Sequence, residues 1–139
     1  MKSGDPVIVQ NDDVAAFWVK ETIGVTLCPP YVGFVIFNEK EVLGAVVIND
    51  YADRNCEMSA VGERCWTVPV IRYLARYCFH KLDVRRVTSR TRDSNEKAKA
   101  ALVAMGFECE GRLRDWYDDE DALVFGLLAR NQRLVRKPT

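Results

Sequence analysis

Apolar residues recur along this chain in two periods, short β-branched runs and stripes of helical spacing, and their order sets the expected elements. Residues 7–10 read as a short first strand. Asn11 or Asp12 then offers a helix N-cap, and Val14, Phe17, Trp18 and Glu21 follow at helical spacing towards Gly24. Cys28-Pro29-Pro30 removes two backbone donors, so residues 25–31 read as a linker into a sheet. The runs 32–37 and 42–48, joined by polar Asn38-Glu39-Lys40-Glu41, carry a hairpin signature.

Residues 57–61 give a shorter extended stretch, and Gly62-Glu63-Arg64-Cys65 leads into a helical pattern from about 67 to 82. Ile71, Leu74, Ala75, Cys78 and Leu82 share its apolar face, with Arg72, Arg76 and His80 opposite. Pro69 is tolerated in a first turn, where its missing N–H has no intrahelical partner anyway. Residues 86–92 read as a strand, and Asp93 with Glu96 three residues later predicts a capping-box-like start to a helix carrying Ala98, Ala101, Leu102 and Met105. Gly106 is a natural left-handed cap, after which Phe107 restarts an extended segment through Arg114 to Tyr117. An acidic turn, 118–121, separates it from a last strand at 122–128. Helices interspersed among strands in this order predict an α/β fold with a mixed sheet.

Composition narrows the picture. A length of 139 residues suits a single domain over 1–139, with residues 1–30 as a variable N-terminal helical region and 131–139 as a loose basic tail. Twenty Lys and Arg balance twenty Asp and Glu, so no global field favours nucleic acid or an anionic membrane. No apolar run approaches the roughly 20 residues of a membrane span, and the first ten residues lack a signal peptide's apolar segment, so a soluble, cytoplasmic protein is expected. The five cysteines are scattered without a close pair, which predicts reduced, buried thiols and no metal site. His80, the sole histidine, is remote in sequence from any acid that would tune it.

The segment Arg86-Val87-Thr88-Ser89-Arg90-Thr91-Arg92-Asp93-Ser94-Asn95, with Ala98, Gly106-Phe107, Glu110-Gly111 and Leu113-Arg114, resembles the C-terminal half of the GNAT (Gcn5-related N-acetyltransferase) superfamily. The likeness covers about residues 31 to 131. It is greatest to the branch with the ribosomal-protein N-terminal acetyltransferases and to short GNAT-like proteins of tailed phages and proteobacteria. The resemblance implies a GNAT fold, a central twisted mixed sheet flanked by helices, with acetyl-CoA as co-substrate in a wedge between splayed parallel strands near 57–61 and 86–92. Backbone groups of Ser59, Ala60 and Val61 would pair with the pantetheine arm. A pyrophosphate loop of Gly62, Arg64, Cys65, Trp66 and Thr67 would meet the phosphates at a helix N-terminus. Three departures accompany it. The loop reads Gly62-Glu63-Arg64-Cys65-Trp66-Thr67 where the family carries R/Q-x-x-G-x-G/A. Leu102 stands where many members place a tyrosine acid, and Ala98 where a serine is common.

The candidate residues each have two readings. Glu57 is a base for an ammonium acceptor or a strand-end charge. Asn95 holds the pantetheine or is a polar first-turn residue. Arg85, Arg86, Arg90 and Arg92 neutralise phosphates or line a solvated strand. Trp116 and Tyr117 shape the acceptor entrance, with Tyr117 as proton donor, or are packing residues. Asp118 to Asp121 attract a cationic acceptor or simply make a turn. Cys65 has a thiol activated by a helix dipole or is a small residue replacing glycine.

The leading expectation is an N-acetyltransferase working by direct attack of an amine, from a small molecule, a protein N-terminus or a lysine, on the thioester. The alternative is a non-catalytic module of the same fold that binds a CoA ligand or a protein partner. Nucleic acid and membrane are not expected as partners, and the chain is expected as a monomer or homodimer.

Overall fold

The computed structural model describes residues 4–135. Its element order is β1 (Val7–Gln10), α1 (Asp12–Ile23), β2 (Tyr31–Phe37), β3 (Val42–Ala52), β4 (Asn55–Gly62), α2 (Val68–Arg76), β5 (Arg86–Arg92), α3 (Glu96–Ala104), β6 (Glu108–Leu113) and β7 (Ala122–Leu128). The strands form one seven-stranded sheet in the order β1-β2-β3-β4-β5-β7-β6. Every neighbouring pair is antiparallel except β4 and β5, which run parallel.

Alternation along each strand divides the core between the two faces of the sheet. Ala15 and Val19 of α1 pack on Val35, Ala45, Val47 and Val61. The opposite face places Phe34, Ile36, Val46 and Ile48 against Val70, Ile71, Leu74 and Ala75 of α2 and Leu102 and Met105 of α3. Phe34 and Phe79 are fully buried, each stabilising the fold by about 2–3 kcal/mol relative to an exposed ring.

Helix α1 is set by local chemistry. Asn11 accepts the Val14 N–H, Gly24 closes the helix at φ 72°, and Asp12 Oδ1 accepts the Gly33 N–H at 2.8 Å, tying the helix start to β2.

Several expectations change. The single helix over 67–82 is α2 followed by a π-helical turn at Tyr77–Lys81, which buries Cys78 and Phe79 and leaves His80 half-buried. Helix α3 is capped by Asn95 rather than Asp93: Asn95 Oδ1 accepts the Ala98 N–H at 3.0 Å, while Asp93 is drawn to Arg112. The helix closes as expected, with Gly106 at φ 96°. Residues 131–135 fold back, with Gln132 accepting the N–H groups of Leu134 and Val135 and Val135 buried in the core. The rest of the expected tail, 136–139, lies outside the described residues.

Candidate active site

The parallel pair β4/β5 holds together over three residue pairs only, Asn55 with Arg86, Cys56 with Val87 and Glu57 with Thr88. Beyond Glu57 the strands diverge, β4 continuing along β3 to Gly62 and β5 along β7 to Arg92. The apex of this splay is pinned by buried Ser89, whose hydroxyl donates to the Met58 carbonyl at 2.9 Å. The backbone of 59–62 therefore faces an opening where a ladder partner would otherwise lie.

A cavity of about 610 Å³ fills the opening. Ser59, Ala60, Val61 and Gly62 form one edge and Ser89, Arg90, Thr91 and Arg92 the other. Trp18, Thr22, Ile23 and Val25 wall it from the α1 side, and Ala98, Ala101, Leu102 and Met105 from the α3 side. Because α1 and α3 cover opposite faces of the sheet, the cavity is walled at the splay by residues from both faces.

Charged groups at the cavity are held in pairs. Arg90 donates to both carboxylate oxygens of Glu57, at 2.6 and 3.1 Å, and its guanidinium lies 4.9 Å from the centre of the Trp116 ring. Arg92 binds Asp119 and Glu120 and covers the Tyr117 ring at 4.2 Å. Arg86 pairs with Glu110, which the bulge in β6 turns towards it, and Arg85 donates to the Asp53 carbonyl. The three arginines of β5 are thus each paired with a carboxylate, Arg90 and Arg92 at the cavity.

Three of the four acidic residues in the turn after β6 are likewise engaged internally. Glu120 accepts both the N–H and the hydroxyl of Ser94, Asp121 accepts the Asp115 N–H and pairs with Arg112, and Asp119 pairs with Arg92. These contacts hold the carboxyls of Asp119, Glu120 and Asp121 below the usual carboxylate range, through Arg92 for Asp119, Ser94 for Glu120 and the Asp115 N–H for Asp121. The same turn places Tyr117, whose N–H donates to the Glu120 carbonyl, at the cavity.

The loop between β4 and α2 is shaped by close packing. A Cβ at Gly62 would lie 2.6 Å from the Gly44 Cα, and Cys65 Sγ sits beside both glycines. Gly62 at φ 138° and Arg64 at φ 58° turn the chain here. Thr67 caps α2 without a side-chain hydrogen bond, leaving first-turn N–H groups without intrahelical partners. Glu63 pairs across the cavity mouth with Lys97 of α3, and Arg64 with Glu41 at 3.9 Å. Lys97 holds the Glu63 carboxyl below its usual range.

Of the candidate residues, Ser59, Ala60, Val61, Arg64, Trp66, Asn95 and Tyr117 line the cavity. Glu57, Cys65 and Thr67 do not. Glu57 touches it through Arg90, Thr67 stands behind the loop, and the Cys65 thiol is buried, its pKa pushed up to about 11 by loss of solvent. Asn95 is both cap and lining residue. Sequence reasoning missed Trp18, Ile23, Ser89 and Lys97. Two polar residues on the inward side of β5, Ser89 and Thr91, are the signal that marks a cleft there.

A sheet of this order, open between its parallel pair, has clear counterparts. A variant of the spermidine N-acetyltransferase SpeG from Vibrio cholerae superposes with a TM-score of 0.71 at 14% identity over 89% of this chain and 94% of that one. The fold is that of the GNAT acetyltransferases. RimJ from Mycobacterium smegmatis, solved in complex with CoA-disulfide, is similar with a TM-score of 0.63 at 20% identity, over 75% of this chain and 56% of its own. No protein-family model and no curated protein matches the sequence. Among the described residues, no cluster of His, Cys, Asp or Glu is arranged to hold a metal ion, and no helix is long and apolar enough to cross a membrane.

Proposed function

We propose that this GNAT-fold protein is an N-acetyltransferase that takes acetyl-CoA and an amine into the splay between β4 and β5 and joins them by direct transfer. The observation that carries the reading is the cavity at the splay, walled by α3 on one face of the sheet and by α1 on the other. Two substrates entering from opposite faces meet at the diverging strands, which supplies the proximity a bimolecular acyl transfer needs.

In this reading the pantetheine arm lies along Ser59, Ala60 and Val61, whose ladder positions towards β5 are open. The Asn95 amide, with its oxygen already engaged as the helix cap, offers N–H groups to the arm. Arg64, the backbone of Trp66 and the first turn of α2 receive the pyrophosphate. The acetyl carbonyl is polarised by backbone N–H groups of β4. The ammonium first gives a proton through water to Glu57, the last residue of β4 paired with β5. The freed amine nitrogen attacks the carbonyl carbon, the C–S bond breaks, and the proton shed by the new amide nitrogen replaces the one Tyr117 gives up. Tyr117, positioned by Arg92 and the Glu120 carbonyl, returns a proton to the leaving thiolate in place of the tyrosine absent at Leu102. A protonated, buried Cys65 is no nucleophile, which favours direct attack over an acyl-cysteine intermediate.

Initial-velocity kinetics test this. Direct transfer gives lines that intersect when acetyl-CoA is varied at several amine concentrations, whereas parallel lines, the mark of an acyl-enzyme, would contradict it.

A further inference from the structure

We infer that the acceptor is a singly charged primary amine carried on an aromatic or branched aliphatic body, and not a polyamine. This deepens the acetyltransferase reading and rests on it. The α1-side wall of the cavity is Trp18, Thr22, Ile23 and Val25. Trp18 is 37% and Ile23 38% exposed, which leaves apolar surface at the mouth for a ligand to cover. Val14 and Phe17 of the same helix are also exposed.

The lining charges favour this acceptor over a polyamine. Among the described residues, the carboxylates lining the cavity are Glu41 and Glu63, and each is paired with a cation, Arg64 or Lys97. Those next to the lining arginines are also committed, Glu57 to Arg90 and Asp119 and Glu120 to Arg92. Among the described residues, no carboxylate lines the α1 side of the cavity, so an extended polycation would lay its second and third ammonium groups along Trp18 and Ile23 without a lining anion to pair with them. A flat apolar body instead covers the indole face and the Ile23 side chain, gaining area burial and ring contact. The recognised chemistry is shared by free arylalkylamines and by the N-terminus of a peptide with an aromatic first residue.

The test is acetylation of tryptamine, 2-phenylethylamine, a tripeptide with an aromatic first residue, and spermidine by the full chain, read by mass spectrometry because exposed Cys28 and Cys109 would consume a thiol reagent. An aromatic amine, free or peptidic, is expected to exceed spermidine in kcat/KM by roughly tenfold or more. Trp18→Ala should remove that preference through KM for the amine, with KM for acetyl-CoA within about twofold. Ile23→Glu, which adds a carboxylate to the wall, should shift preference towards spermidine. Equal or better use of spermidine by the wild type, or a preference unchanged in both variants, overturns the inference. Calorimetry with acetyl-CoA separates the levels. Binding without turnover of any aromatic amine defeats the acceptor inference alone, and absence of binding defeats the acetyltransferase reading and this inference with it.

Discussion

Arg90 grips both oxygens of Glu57 across the step at which β4 and β5 part, so the last paired residue of one strand is clamped by a side chain from the diverging stretch of the other. Both side chains are about one-third exposed or less, and the bidentate geometry makes this a stronger contact than a surface pair. If Glu57 also accepts the proton of the amine, Glu57→Gln should lower kcat by about a hundredfold while KM for acetyl-CoA changes less than about threefold. An equal loss in Glu57→Gln and Arg90→Met, accompanied by matching losses in melting temperature, would assign the pair to scaffolding instead.

Ser89 holds the apex of the splay through its bond to the Met58 carbonyl. Ser89→Ala leaves that buried acceptor without its donor, and a destabilisation of about 1–3 kcal/mol is expected in denaturant unfolding. The same variant should raise KM for acetyl-CoA, because the angle between the strands sets the width of the cavity.

Tyr117 is held under Arg92 at the cavity edge. Tyr117→Phe keeps the ring and removes the proton, so kcat should fall at least tenfold with both KM values nearly unchanged if Tyr117 protonates the thiolate. Wild-type turnover in Tyr117→Phe would reduce the residue to a wall of the pocket.

Glu63 places a negative charge at the mouth where phosphates would enter, and it occupies Lys97. Glu63→Gln should tighten acetyl-CoA binding a few-fold and Lys97→Gln should weaken it, with both effects shrinking as salt is raised, as expected for exposed charges. Titrations at two ionic strengths check the sign of each.

The buried Cys65 thiol gives a pH signature. Its pKa rises from 9.0 to about 11 on folding, because burial disfavours the thiolate. Between these values the folded chain keeps a proton that the unfolded chain releases, so stability is present in full below pH 9 and is lost as pH rises towards 11, by an amount on the order of 2 kcal/mol. Cys65→Ala should flatten the fall in stability over that window. Identical slopes in the two proteins would contradict the assignment.

The strands were largely legible because β-branched runs bounded by turns leave few alternatives, as at 32–37 and 86–92. The start of α3 was not, because Asp93 and Asn95 are equally good caps two residues apart. What decides between them is Arg112, nineteen residues away, which takes Asp93. The loop residues were found through resemblance, but the splay itself, with Ser89 on Met58 and Lys97 on Glu63, joins residues more than thirty apart and has no local signature. Nor does spacing show that Asp119, Glu120 and Asp121 are engaged by Arg92, Ser94 and Arg112. The apolar stripe of α1 was legible as a helix face, and only the structure shows Trp18 and Ile23 turned to the cavity.

The central claim is that the opening between β4 and β5 is an acyl-CoA site, and calorimetric titration of the chain with acetyl-CoA tests it most directly. Micromolar binding to a single site is predicted, abolished by Ala98→Trp, which fills the cavity from the α3 side while leaving the circular dichroism spectrum unchanged. No heat at millimolar acetyl-CoA, or wild-type affinity in a folded Ala98→Trp variant, would contradict it.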